Sequence, residues 1–413
     1  MANAPDLDEL AALYRDLHAH PELAFAEHRT AGIVAERLRG LGYAVTIGVG
    51  GTGVVGLLAN GAGPTVLLRA DMDGLPVLEQ TGLPYASTGR ATNRGGADVP
   101  VMHACGHDMH VTCLLGAAAE LAAARDAWRG TLLLVFQPAE EAGTGAQAML
   151  DDGLYKRFPV PGIVLGQHVM PLPAGVLAIH GGAAMAAGDA LRIVLHGQGG
   201  HGSRPETTVD PILMAAATVL RLQGVVSGEI AASESAVLTV GALRAGTAPN
   251  IIPDEAELLL SLRSFNEKVH DTARAAIDRI VRAESAASGA PREPEIITEV
   301  SFPVLVNEPA ASARLTELFN AGGILTLDPG PVTGSEDVGL LATAAGVPCA
   351  YWFLGGSDPA LFAGVTTAEE AKAIVDTLPS NHSPLFAPVI DPTIRTGVTA
   401  LTTAAREWLG AAG

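Results

Sequence analysis

The sequence predicts an α/β main domain with a smaller α+β unit inserted into it. Three observations carry the prediction. Helical and strand patterns alternate through the first 186 residues, as a layered α/β fold requires. Residues 187–302 then change to the order strand, helix, strand, strand, helix, strand, and from residue 310 the first pattern returns. A chain of 413 residues exceeds what one ordinary core organises. Residues 1–186 and 303–413 are therefore expected to form one discontinuous domain around an insert at 187–302.

Taken in order, residues 7–17 and 30–41 carry helical periodicity. Residues 54–59, 65–70, 131–137 and 162–167 are apolar runs bounded by Gly, Pro or polar turns, the pattern of buried strands. Residues 110–125, rich in Ala and Leu, predict a helix. Residues 90–98 (RATNRGGAD) are polar and Gly-rich and predict an exposed loop. In the insert, strands at 190–196, 236–243, 255–264 and 295–300 with helices at 211–226 and 268–287 give the ferredoxin-like order. Helices at 311–320, 337–345 and 392–409 and a strand at 349–354 complete the main domain.

Composition narrows the partners. Apolar residues make up 48% and charged residues 17%, which describes a folded globular chain. A formal net charge of −19 repels phosphate backbones and anionic headgroups, so a small molecule is expected rather than nucleic acid or a membrane. Residues 158–188 lack Asp, Glu, Lys and Arg, but their prolines and glycines break any spanning helix. Three cysteines argue against a disulfide framework and for a reducing compartment. The acidic first residues do not resemble an export signal, so a cytoplasmic location is expected.

The residues with chemistry are few. In MHACGHDMH (102–110), Cys105 and His107 lie two apart, which in an extended stretch turns both to one side. Thiolate and imidazole suit zinc and neighbouring divalent metals, against the plainer alternative of a buried thiol beside a hydrogen-bonded histidine. The apolar strand at 131–137 runs into Glu140 and Glu141, and adjacent carboxylates at a strand end diverge. One can bind metal while its neighbour holds a water. His168 follows another apolar run, and His382 lies in a loop near the C-terminus. Either alone is equally a satisfied structural histidine. Together Cys105, His107, Glu141, His168 and His382 exceed one tetrahedral site and suit two metals about 3.5–4 Å apart, with Glu140 left to act as general base. Asp71 and Asp73 orient ligating imidazoles or cap the following turn. His103 and His110 are supporting residues.

HPEL (20–23), RADMDGLP (69–76), MHACGHDMH, FQPAEE (136–141), His168, GQGGHGSRP (197–205), APNIIP (248–253) and NHSPLF (381–386) follow one another in an order that resembles the M20 metallopeptidase group. The resemblance is nearest to the branch of aminoacylases, hippurate hydrolases and auxin-conjugate (IAA-amino acid) hydrolases, and it runs over residues 13–386. It implies a di-metal catalytic domain with a lid and dimerisation domain. Cys105, His107, Glu141, His168 and His382 match the metal ligands of the group, and Glu140 matches its base. Cys105 stands where many relatives carry Asp, which points to the amidohydrolase branch. His201 resembles the histidine that reaches the substrate, often across a dimer interface; Asn250 and Arg263 resemble groups that hold the substrate carboxylate. Two divalent ions per subunit, zinc, manganese, cobalt or nickel, are implied, as is a homodimer or higher oligomer. The implied activity is hydrolysis of N-acyl amino acids. A dipeptidase or carboxypeptidase, a metal-binding protein without turnover and a redox protein using Cys105 as a low-pKa thiol are the alternatives.

Overall fold

The apolar runs of the sequence are the inner strands of one sheet. The computed structural model describes residues 6–411. Its principal elements are α1 (Leu7–Ala19), α2 (His28–Gly40), β1 (Ala44–Val49), β2 (Gly53–Asn60), β3 (Thr65–Asp71), α3 (His107–Ala123), β4 (Trp128–Gln137), β5 (Ile163–Pro173), β6 (Ala187–His196), α4 (Pro211–Glu229), β7 (Ala236–Ala245), β8 (Glu255–Ser264), α5 (Glu267–Ala287), β9 (Glu295–Phe302), α6 (Pro309–Ala321), β10 (Cys349–Ser357) and α7 (Thr393–Trp408).

The chain divides into two units, one of Met1–Gly182, Val306–Gly330 and Asp337–Gly413 and one of Ala183–Leu305 with Pro331–Glu336. The assignment of all residues after 303 to the main domain therefore needs correction. Residues 331–336 belong with the insert because they hydrogen-bond to its first residues: Val332 N–H donates to the Ala184 carbonyl at 2.8 Å and Ala186 N–H to that of Gly334 at 2.9 Å.

In the first unit a nine-stranded sheet runs in the order β1-β2-β4-β3-β5-β10 and continues past β10 with the two-residue strands Leu177–Ala178 and Thr326–Leu327. The strands β4, β3, β5 and β10 run parallel, whereas β1 and β2 form an antiparallel edge. Four carboxyl ends thus meet on one sheet edge, where open α/β sheets place their ligands. Alternate residues Leu68, Leu134 and Leu165 turn one face to a core shared with Tyr14, Leu17, Leu38, Val398 and Leu401 of the helices. Burying a Leu of this kind stabilises by about 1.5–3 kcal/mol. Helix α1 starts at Asp6, whose side chain accepts from Asp8 N–H, with Asp8 and Glu9 favourable in the first turn.

Local differences from the sequence expectations have simple causes. Strand β5 continues past residue 167 to Pro173 because β10 pairs with it as far as Ser357. Residues 90–98 are not a plain loop: Arg90–Thr92 pairs with Asp98–Pro100 as a short hairpin. Strand β1 lies outside the predicted runs, and of its six residues only Val49 is buried.

In the second unit the order β7-β8-β6-β9 is antiparallel at every neighbour, the ferredoxin-like arrangement. Helix α4 begins at Asp210 and Pro211, α5 at Asn266, whose side chain accepts from Lys268 and Val269 N–H. By length and composition α4 could cross a membrane; its Met214, Ala215, Leu222 and Val225 are packed in the core of this unit.

Candidate metal centre

The centre is built from turns that leave the carboxyl edge of the sheet. Cys105 and His107 do not lie on an extended stretch, contrary to the i, i+2 argument. Gly106 takes a left-handed conformation, φ 83°, and His107 opens α3. A Cβ at Gly106 would come 2.4 Å from Val169 Cγ1, so only glycine fits this close approach. The turn and the register of β5 bring Cys105 Sγ within 3.4 Å of His168 Nε2.

Ligand atoms of Cys105, His107 and His168 all lie within 4.8 Å of one another, and so do those of Cys105, Glu141 and His382. Cys105 is common to both groups. His382 Nε2 is 3.2 Å from Glu141 Oε1, and its backbone, at φ 70°, is held by an N–H bond to the Ala104 carbonyl at 2.8 Å. Asn381 ties the same loop to the Cys105 carbonyl at 3.1 Å and the Val169 carbonyl at 3.0 Å. Glu140 Oε2 lies 3.9 Å from His107 Nε2, as does Glu141 Oε1.

Asp73 organises this region. Its Oδ1 is 3.3 Å from His107 Nδ1, while Oδ1 and Oδ2 accept the N–H groups of Glu140 and Glu141 at 3.1 Å each. One buried carboxylate therefore orients the His107 imidazole and anchors the turn that carries both glutamates. Asp71 holds a second imidazole. It takes Nδ1 of His110 at 2.5 Å, and Val169 N–H donates to His110 Nε2 at 2.8 Å, so both nitrogens of this imidazole are used and His110 is a brace. Asp71 also pairs with Arg69 Nη1 at 2.6 Å; Arg69 reaches Gln137 at 2.9 Å and Asp337 at 3.0 Å. A buried guanidinium in an apolar strand needs such partners, which is a signal the run LLRAD already contains.

Electrostatics prepare the site for cations. Burial lowers the His168 pKa well below its ordinary value, with His110 adding to the effect. The neutral ring is 2.8 Å from the Val169 carbonyl through Nδ1, which donates and leaves the Nε2 lone pair facing Cys105. For His107 burial acts downward, but Asp71, Asp73 and Glu141 outweigh it and hold the imidazole at about 10. Burial, then Glu141 and Glu140, push the Cys105 thiol well above its ordinary value. A thiol held in its protonated form does not favour the redox alternative, which needs a thiolate. His107 Nε2 is buried without a hydrogen-bond partner. The unpartnered His107 nitrogen, the Cys105 thiol, the Glu141 carboxylate and the neutral His168 imidazole form a donor set that fits divalent ions, whose binding would displace the protons of His107 and Cys105.

A family model described as peptidase family M20/M25/M40 matches residues 67–378. The chain belongs to this family. It is 39% identical over 352 residues to the hippurate hydrolase of Campylobacter jejuni, covering 84% of this chain and 88% of that protein. It is 37% identical over 353 residues to thermostable carboxypeptidase 1 of Saccharolobus solfataricus, covering 84% and 86%. Among solved structures, the YXEP protein of Bacillus subtilis, a dinuclear metal binding peptidase from the M20 family, superposes with a TM-score of 0.74 at 27% identity over 97% of this chain and 99% of that one.

In this M20 chain three of the expected residues belong to the second unit. His201 lies on a two-residue strand paired with Ile251, exposed, its Nδ1 accepting from Ser203 N–H at 3.1 Å. Asn250 is its neighbour, the Asn250 carbonyl accepting from Gly202 N–H at 2.8 Å. Arg263 is not with them. It sits at the far end of β8, donating to the Thr333 carbonyl at 2.7 Å and Ser335 Oγ at 3.0 Å. Eight residue steps of β8 separate the two ends, roughly 26 Å at the usual rise per residue.

Proposed function

We propose that this M20 chain is a two-metal amidohydrolase that cleaves the amide bond of an N-acyl amino acid. The observation that carries it is the sharing of Cys105 by two donor groups, one with His107 and His168 and one with Glu141 and His382, with Glu140 beside them. Cys105, His107, His168, Glu141 and His382 would hold the ions. The donor set accepts zinc, manganese, cobalt or nickel. When bound, such ions supply Lewis acidity for the scissile carbonyl and for a water. Glu140 takes the proton of that water as it attacks and delivers it to the leaving nitrogen. Asp73 keeps Glu140 and Glu141 at the angles that separate base from ligand.

His201, Asn250 and Arg263 are the groups proposed to hold the substrate. The distance between Arg263 and the other two within one insert supports a site completed by His201 of a second copy. Exposed Leu213 (70%) and Leu220 (75%) on α4, and Val237 on the edge strand β7, support a homodimer formed through the insert. A count of three cysteines suits a reducing, cytoplasmic setting.

A carboxypeptidase is the second reading, favoured by the likeness to the Saccharolobus solfataricus protein; both activities release an amino acid with a free carboxylate. Protein loaded separately with each of the four metals, assayed on N-acetyl and N-benzoyl amino acids beside dipeptides and longer peptides, separates them. Faster cleavage of N-acyl amino acids is expected. Turnover confined to peptides would make the chain a peptidase, and none on either class with two metals bound would leave a metal-binding protein.

A further inference from the structure

Glu27 does nothing that its place in the chain explains. It stands directly before α2, where a side chain ordinarily caps the first free N–H groups, yet its carboxylate makes no such bond. Glu22 caps instead, accepting from Arg29 and Thr30 N–H at 2.8 Å each. The Glu27 carboxylate is fully buried, a costly placement unless its oxygens are satisfied. They are satisfied from other segments. Oε1 accepts the N–H groups of Phe25 at 3.0 Å and Ala139 at 2.8 Å, and Oε2 accepts the Thr52 hydroxyl.

Both amides belong to residues with positive φ, 60° at Phe25 and 51° at Ala139. Among the described non-glycine residues only His382 shares that conformation. A residue with a Cβ persists there when its surroundings over-determine it. Ala139 immediately precedes Glu140, whose own N–H is held by Asp73. Two buried carboxylates thus hold three consecutive amides of this turn, and Glu27 holds the strained one.

We propose that Glu27 is a positioning residue that clamps the Ala139 peptide in its left-handed conformation and so aims the Glu140 carboxylate. It rests on Glu140 being the general base, and no proton or substrate atom passes through Glu27. The test compares Glu27→Ala, Glu27→Gln, Ala139→Gly, the double variant E27A/A139G and Glu140→Gln on the N-acyl amino acid cleaved fastest. Glu27→Ala is expected to lower kcat about 100-fold, as an ångström-scale misplacement does, with KM little changed. Glu27→Gln should stay within about fivefold of the parent, because its amide oxygen accepts the same two N–H groups. Glycine adopts positive φ unaided, so E27A/A139G should recover about tenfold over Glu27→Ala. In metal-free protein, amide exchange in the peptide 137–145 should quicken in Glu27→Ala.

Parental kcat in Glu27→Ala beside an inactive Glu140→Gln would overturn the clamp while leaving the base intact. Equal loss in Glu27→Gln with no recovery in the double variant would reduce Glu27 to a packing role. An active Glu140→Gln would remove the base and the clamp together. If Glu27→Ala does not fold, Glu27→Asp, one methylene too short for Ala139, replaces it with the same expected loss and recovery.

Discussion

Cys105 is the residue on which the two donor groups depend. Its thiol is pushed up by burial and by Glu141 and Glu140, so its deprotonation is coupled to the arrival of cations. Cys105→Ala should therefore lower the bound metal from two ions per chain to one or none, as read by elemental analysis after dialysis. Retention of two ions would remove the thiolate from its shared place. The candidate ligands were legible as residue types, because Cys, His and Glu at the ends of apolar runs have few other uses. Their supports were not: Asp73 binding the N–H groups of residues 140 and 141, or His110 closing on Val169 N–H, is long-range pairing that no spacing displays. The single local clue was Arg69 inside an apolar strand.

At the scale of elements, the turn from Cys105 into α3 decides whether ligands converge. Gly106→Ala introduces a Cβ 2.4 Å from Val169 Cγ1 at φ 83°. A cost of about 2–4 kcal/mol is expected from strain and overpacking together, read as a lower denaturant midpoint with weaker metal binding. An unchanged midpoint and affinity would mean the turn is not constrained. Strands β3 and β4 were legible because buried parallel strands are apolar throughout. The end of β5 was not, since it is set by β10, almost two hundred residues away. The reading of 105–107 as extended failed for a related reason: a single left-handed glycine inverted the local geometry. In the insert the β-α-β-β-α-β order was legible, whereas the attachment of 331–336 comes from tertiary hydrogen bonds.

Across the whole molecule, a buried ion pair links segments far apart in sequence. His18 Nδ1 is 2.7 Å from Asp108 and Nε2 is 3.1 Å from Glu79. Burial lowers the imidazole pKa, but Asp108 and Glu79 outweigh it and raise it to about 10. The folded value exceeds the unfolded one of about 6.5, so this stabilisation is complete below about pH 6.5 and is lost as pH rises toward 10. On the order of 5 kcal/mol is involved. His18→Gln should flatten that part of the stability curve in urea melts from pH 6 to 10, and an equal slope in both proteins would contradict it. The assembly is checked separately: Leu213→Glu with Leu220→Glu should turn a dimer into a monomer in sedimentation and reduce turnover, because His201 would lose its site. A parent already monomeric and fully active would exclude completion by a second copy.

The most direct measurement is single-turnover hydrolysis by Glu140→Gln with metal content determined on the same sample. Two ions per chain with the rate down about 10²–10⁴-fold is expected of a lost general base in an intact centre. Turnover at the parental rate with both ions bound would contradict the assignment of Glu140 as base.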